Sequence, residues 1–163
     1  MKILRYDPAG LAEACQEFSS LEYLGIDTET TDLIPFRGEL RLFQMSDGLS
    51  TYVVDLRRFA EKGDLKTMPE LAPLRDLLEN ESIRKIAHNA KFDLKWIKHH
   101  LGVDTAGVFD TLSASKVVAA GDVYLRHGLA PVVERFLGIT VDKSEQRSDW
   151  SVDALSDAQI EYA

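Results

Sequence analysis

The sequence predicts an α/β fold: a mixed sheet of five to six strands, antiparallel at one side and parallel at the other, with helices on both faces. Two observations lead there. Between residues 22 and 55, apolar stretches suited to strands are joined by short turn-rich segments, the pattern of an antiparallel meander. From residue 71 onward, stretches with a helical period alternate with short apolar runs, which brings successive strands into parallel pairing. There is no internal repeat, low-complexity segment or linker, and 163 residues suit one domain with a real core.

Residues 2 to 6 suit a short strand, and Asp7-Pro8 opens a helix over about 9 to 19, with Asp7 as its cap and Pro8 in the first turn. Residues 22 to 29 form the next strand, and 30 to 38 a loop marked by Pro35 and Gly38. Leu40 to about Ser46 pairs with Thr51 to Asp55 across the tight-turn signal Asp47-Gly48. Residues 57 to 68 are a charged connection, and Leu71, Leu74, Leu77 and Leu78 carry a helical period. Ile83 to Ala87 is a buried strand, followed by a helix over 90 to 101 that Gly102 ends. A short strand at 107 to 110 leads into a helix over 111 to 119. Gly128 to Leu137 is an amphipathic helix stopped by Gly138, and residues 139 to 150 are polar and irregular. Ser156 caps a last helix, with Gln159 read as displaced from the place a capping-box partner takes.

Composition narrows the class. No window reaches the roughly 18 consecutive apolar residues of a membrane span, and the N-terminus has no signal-peptide apolar region. A single cysteine, Cys15, rules out an internal disulfide and leads to the expectation of a reducing cytoplasm. The net charge of −8, from 19 Lys and Arg against 27 Asp and Glu, argues against nucleic-acid binding by global basicity. It leaves room for an enzyme that holds a phosphodiester through metal ions. Residues 84 to 100 carry Arg84, Lys85, Lys91, Lys95 and Lys98 against Asp93 alone, either a solvated helix face or a phosphate-facing patch.

Three constellations carry chemistry. In Leu24-Gly25-Ile26-Asp27-Thr28-Glu29-Thr30-Thr31 an apolar strand ends in carboxylates two residues apart, hence on one face. Like charges that close repel, and a hard divalent cation with oxygen ligands relieves them. In Ala87-His88-Asn89-Ala90-Lys91-Phe92-Asp93 a buried strand hands over to a helix that Asn89 is placed to cap, with Asp93 one turn on. The third is the acidic helix start Ser156-Asp157-Ala158-Gln159-Ile160-Glu161-Tyr162.

In this order, Asp27-x-Glu29, Asn89-x-x-x-Asp93 and Tyr162 resemble the three motifs of the DEDDy branch of 3′–5′ exonucleases, along essentially the whole chain. That group includes ribonuclease D and the proofreading domain of bacterial DNA polymerase I. Leu33, six residues after Asp27, matches the family's base-wedging position. Gly128-Leu129 through Leu137-Gly138 matches its conserved helix, and the stretch from Asp142 to Trp150 is most similar to ribonuclease D.

The resemblance implies a ribonuclease H-like fold and a single exonuclease domain over residues 1–163. It also implies hydrolysis with two Mg²⁺ or Mn²⁺ ions, acting on the 3′ end of single-stranded RNA or DNA. Asp27 would bridge the ions, Glu29 would bind the one holding the attacking water, and Asp93 would support the other. Tyr162 would orient the water, since a phenol with a pKa near 10 is a poor base at neutral pH. Thr28, Thr30, Leu33, His88, Asn89, Phe92, Lys143, Arg147 and Trp150 are the candidate substrate-binding residues. Bland roles stand beside these: Phe92 as core, His88 as a buried strand end, and Lys143, Arg147 and Trp150 as a loop packed on the sheet edge.

The family's third motif is Tyr-x-x-x-Asp, whose Asp would fall at 166, beyond the 163 residues given. The expectation is therefore a piece cut inside its last helix, with weak metal binding, little activity and further domains beyond it. Two rivals differ in class. A haloacid-dehalogenase phosphatase needs Asp where Glu29 stands and a helix directly after the motif, and here a hairpin follows. A binding module that keeps the fold without the chemistry is the other.

Overall fold

The computed structural model describes residues 2–5, 8–141 and 148–163. Its strands are β1 (Lys2–Arg5), β2 (Tyr23–Thr30), β3 (Leu40–Ser46), β4 (Thr51–Asp55), β5 (Arg84–Ala87) and β6 (Val108–Asp110). The helices are α1 (Pro8–Phe18), α2 (Arg57–Ala60), α3 (Ala72–Glu79), α4 (Lys91–Leu101), α5 (Thr111–Ala119), α6 (Leu129–Leu137) and α7 (Asp157–Tyr162). One six-stranded sheet runs in the order β1-β4-β3-β2-β5-β6. The β2, β3 and β4 strands are antiparallel neighbours, while β5 lies parallel to β2, β6 to β5, and β1 to β4. This is the expected mixed α/β sheet, ribonuclease H-like, with the meander at one side and parallel strands at the other.

Local chemistry explains the turns. Asp47 accepts the amides of Leu49 and Ser50 at 2.8 and 2.7 Å, and Gly48 takes a φ of +88° that closes the β3–β4 hairpin. Gly102 ends α4 in the left-handed conformation, with its N–H on the Lys98 carbonyl. The connection at 57 to 68 is less irregular than its charge suggests, because burial of Phe59 organises the one-turn helix α2.

Strand alternation divides the molecule. Ile26, Phe43, Met45, Tyr52 and Val54 point into the main core, where Leu11 and Phe18 of α1, Leu74 and Leu77 of α3 and Trp96 of α4 meet them. Phe18 and Tyr52 pack edge to face, with ring centroids 5.0 Å apart. A smaller cluster of Leu42, Val53 and Trp150, with Leu155 and Tyr162 against it, holds the C-terminal segment on the sheet. The amphipathic helix expected at Gly128 to Leu137 forms as α6, but it has no buried residue, and Phe136 and Leu137 stay exposed.

Candidate active site

The site grows from the end of β2. Asp27 stands opposite Gln44 of β3 and Glu29 opposite Leu42, on one face of the sheet. Thr28, between them, turns to the other side, is buried, and donates its hydroxyl to Asp93 Oδ1 at 2.6 Å. That bond draws the first turn of α4 against β2 and sets Asp93, itself buried, next to Asp27. The parallel strands β2, β5 and β6 all end here, and the crevice beyond the carboxyl ends of parallel strands is the usual place for a ligand in an open α/β sheet.

An open cavity of about 1040 Å³ occupies that crevice. Asp27, Thr28, Glu29, Thr30, Leu33 and Gln44 line it from β2, β3 and the following loop. His88, Asn89 and Phe92 line it from the β5–α4 junction, and Trp150 and Tyr162 from the C-terminal segment. Asp93 sits behind this wall, bound to Thr28.

Electrostatics in the site are unusual. Burial, reinforced by the charges of Asp27 and Asp93, pushes the Glu29 carboxyl up to about 8. Asp27 opens to the cavity, yet enough protein surrounds it for desolvation to raise its carboxyl as well. Asp93 is raised by burial and then by the charge of Asp27, so the two carboxyls titrate as a pair rather than independently. Three carboxyl groups are thus held against their ordinary ionisation. Among the described residues, no group of three or more His, Cys, Asp and Glu side chains lies in a metal-holding arrangement as it stands. The donor chemistry nonetheless fits a hard divalent cation: all-oxygen, crowded and repelling when ionised.

The remaining candidates separate. Asn89 does not cap α4. It takes a left-handed φ of +63°, the cap position falls to Ala90 without a side-chain bond, and the Asn89 N–H donates to Asp110 Oδ1 at 2.9 Å. Asn tolerates that conformation better than other residues with a Cβ, so a turn residue rather than a cap is what the junction required. His88 is half-buried, its Nδ1 2.9 Å from Thr111 Oγ1, and burial lowers its pKa. Phe92 packs against the core and lines the cavity, with the Lys95 ammonium 4.6 Å from its ring centroid.

Leu33 is 74% exposed at the cavity edge, and its carbonyl accepts Lys95 Nζ at 2.7 Å. Thr30 Oγ1 donates to the Asp32 carbonyl at 2.8 Å. Trp150 is buried on Leu42 and Val53, which gives it a packing role while it borders the cavity. Lys143 and Arg147 lie outside the described residues, as does Asp7. Gln159 is not displaced but completes the capping box: Ser156 Oγ accepts the Gln159 N–H at 3.2 Å and Gln159 Oε1 accepts the Ser156 N–H at 2.9 Å.

Gln44 escaped the sequence reading. Nothing marks a glutamine inside an apolar strand as a site residue until pairing puts it opposite Asp27, buried, with Oε1 lacking a hydrogen-bond partner among the described residues.

A ribonuclease H-like sheet with acidic groups gathered where its parallel strands end defines the class to which this molecule belongs. The sequence profile of the 3′–5′ exonuclease family matches residues 4–163, and the chain belongs to that family. It is 38% identical over 154 residues to DNA polymerase I of Aquifex aeolicus, a match spanning 94% of this chain and 23% of that protein. To ribonuclease D of Zymomonas mobilis it is 34% identical over 158 residues, 96% of this chain and 38% of the relative. The structure of Brucella melitensis NrnC with bound Mg²⁺ superposes with a TM-score of 0.76 at 31% identity, covering 99% of this chain and 70% of that one. The chain therefore spans well under half the length of the two relatives matched by sequence.

Proposed function

We propose that this protein is a divalent-metal-dependent 3′–5′ exonuclease that removes nucleotides from the 3′ end of single-stranded RNA or DNA, in the manner of a ribonuclease D or a proofreading domain. One observation carries the reading: Asp27, Glu29 and Asp93 gather at the end of β2, with all three carboxyls held above their ordinary pKa by burial, reinforced at Glu29 and Asp93 by the neighbouring carboxylates. Such a cluster is costly unless a cation relieves it. Family membership and the Mg²⁺ in the NrnC structure support the same reading.

Asp27, Glu29 and Asp93 would hold two Mg²⁺ or Mn²⁺ ions. When bound, such ions stabilise charge on the phosphate and leaving oxygen and make water nucleophilic at neutral pH. The chain's own residues supply the rest. Thr28 fixes the Asp93 carboxylate through its hydroxyl. Tyr162, which lines the same cavity as Asp27, would orient the attacking water by hydrogen bonding. Leu33 and Phe92 offer apolar faces to the terminal bases, a sequence-tolerant contact. Thr30, His88, Asn89 and Trp150 shape the walls, and Lys143 and Arg147 are proposed as phosphate contacts.

A second reading, a nucleic-acid-binding module of the same fold with weak catalysis, draws on the absence of a ready three-residue metal group among the described residues. Asp27→Ala separates the two. With Mn²⁺ and 5′-labelled RNA and DNA strands of matched sequence, the wild type is expected to give a ladder shortened from the 3′ end, and the variant roughly 100-fold less product, the upper end of what losing even an outer-shell partner of a metal ligand costs. Equal cleavage by both proteins would refute the site, and binding without cleavage by the wild type would establish the module. The preferred strand identifies the substrate.

A further inference from the structure

Tyr162 reaches the site on a segment, residues 148–163, whose hold on the sheet was not visible in any motif. Two arginines from the sheet side take three successive backbone carbonyls of that segment. Arg57 Nη1 donates to Ser151 O at 2.9 Å and to Val152 O at 3.0 Å. Arg41 Nη1 donates to Val152 O at 2.6 Å, and its Nη2 to Asp153 O at 3.2 Å. Arg41 is 1% exposed, and its Nη2 also donates to the equally buried Asp55 at 3.1 Å. Its Nε lies 3.0 Å from the other Asp55 oxygen, out of line for a hydrogen bond. Arg57 is in turn held by Glu39 at 2.8 Å.

The grip is transmitted to the site in two short steps. Trp150, beside the first gripped carbonyl, packs on Leu42 and Val53, and its ring centroid lies 6.4 Å from that of Tyr162. Gln159 of α7 donates to Ser148 Oγ at 2.9 Å and to Asp149 O at 3.0 Å, so helix and strap form one unit. A planar guanidinium can serve a carboxylate and two carbonyls at once, and an ammonium cannot do so in the same place. Burying such a charge is costly unless its hydrogen bonds are met, so this arginine invites a reason beyond filling space.

We propose that Arg41, with Arg57 beside it, is a positioning residue for Tyr162. The clamp on residues 151–153 sets the strap in register with β3 and so places the phenol opposite Asp27 and Glu29. The proposal rests on the reading of Tyr162 as the group that orients water.

The test uses a double-mutant cycle and a readout independent of catalysis. Wild type, Arg41→Lys, Tyr162→Phe and the double variant are compared in Mn²⁺-supported cleavage at saturating substrate. Arg41→Lys is expected to lower kcat roughly tenfold, within the range that misplacing a reacting group costs, with KM unchanged. Added to Tyr162→Phe, it is expected to cause no further loss. Losses that multiply, or an unchanged kcat, would overturn the proposal. Should Arg41→Lys fail to fold by circular dichroism, Arg57→Gln, at a partly exposed site, enters the same cycle with the same expectations.

Acrylamide quenching supplies the second readout, since Trp96 and Trp150 are both buried. Loosening of the strap is expected to make Trp150 quenchable in the clamp variant, while Trp96 stays protected. Unchanged quenching overturns the clamp. If the wild type neither cleaves nor responds to Mn²⁺, the exonuclease reading falls, and quenching alone decides whether Arg41 holds the strap.

Discussion

Glu29 shows what a single residue pays for a prepared site. Its carboxyl is pushed up to about 8, well above the ordinary glutamate value, so the neutral form is the one the folded protein favours. A group with a raised folded pKa contributes stability that is present below its unfolded pKa and is lost as pH rises through the folded value. Asp27 and Asp93 act in the same direction. The metal-free protein in EDTA is therefore expected to lose melting temperature steadily from pH 5 to pH 8.5, and Glu29→Gln to flatten that decline. A wild-type curve that rises or stays level over this interval would contradict the crowding. Excess Mg²⁺ is expected to raise the melting temperature most at the alkaline end, because bound cations replace protons as the relief.

At the scale of elements, α7 is the piece whose stability matters most relative to its length. It has six residues, too few to persist without tertiary support. Its reciprocal capping box, Ser156 with Gln159, and the Gln159 bonds back to Ser148 and Asp149 supply that support. Ser156→Ala is expected to cost about 1 kcal/mol, the usual worth of such a cap. The loss should appear as roughly fivefold faster amide exchange at Gln159 and Ile160 with β3 unchanged, because 1 kcal/mol is about a factor of five in a local opening equilibrium. Uniform acceleration across the sheet would mean that the helix is not a separate opening unit. The α4 helix has the opposite character: Trp96, Ile97 and Leu101 anchor it in the core, so Asp93 is carried on a rigid element.

For the whole molecule, the sheet's two faces do different work. One is sealed by α1, α3 and α4 over the main core, and the other carries Asp27 and Glu29, the small Trp150 cluster and the open cavity. Phe43, fully buried at the centre of β3, belongs to the sealed face. Phe43→Ala is expected to cost about 3–5 kcal/mol in chemical denaturation, with the unfolding slope unchanged; a loss below about 1 kcal/mol would mean that the core repacks around it. Much of this plan was legible beforehand. Strand alternation, the Asp47-Gly48 turn and the stop at Gly102 act locally, through backbone sterics and side-chain period, and they are written where they act. Asp27 and Glu29 on one face follow from the same period of two. Asn89, Gln44 and Arg41 were not legible in their actual roles, because each depends on a partner distant in the chain: Asp110, Asp27 across the ladder, and the carbonyls of Val152 and Asp153. The amphipathic period of α6 promised a buried face, yet period says only that an apolar face exists, not what covers it. The sequence by itself determined the strands, the longer helices, the mixed sheet and the order of the acidic motifs, since these follow from local sterics and spacing, while the short α2 did not show. Tertiary structure alone decided that Thr28 reaches Asp93, that the carboxyls of Asp27, Glu29 and Asp93 are raised above their ordinary values, and that Arg41 and Arg57 hold the backbone of residues 151–153. Distance through space, not along the chain, governs desolvation and hydrogen bonding.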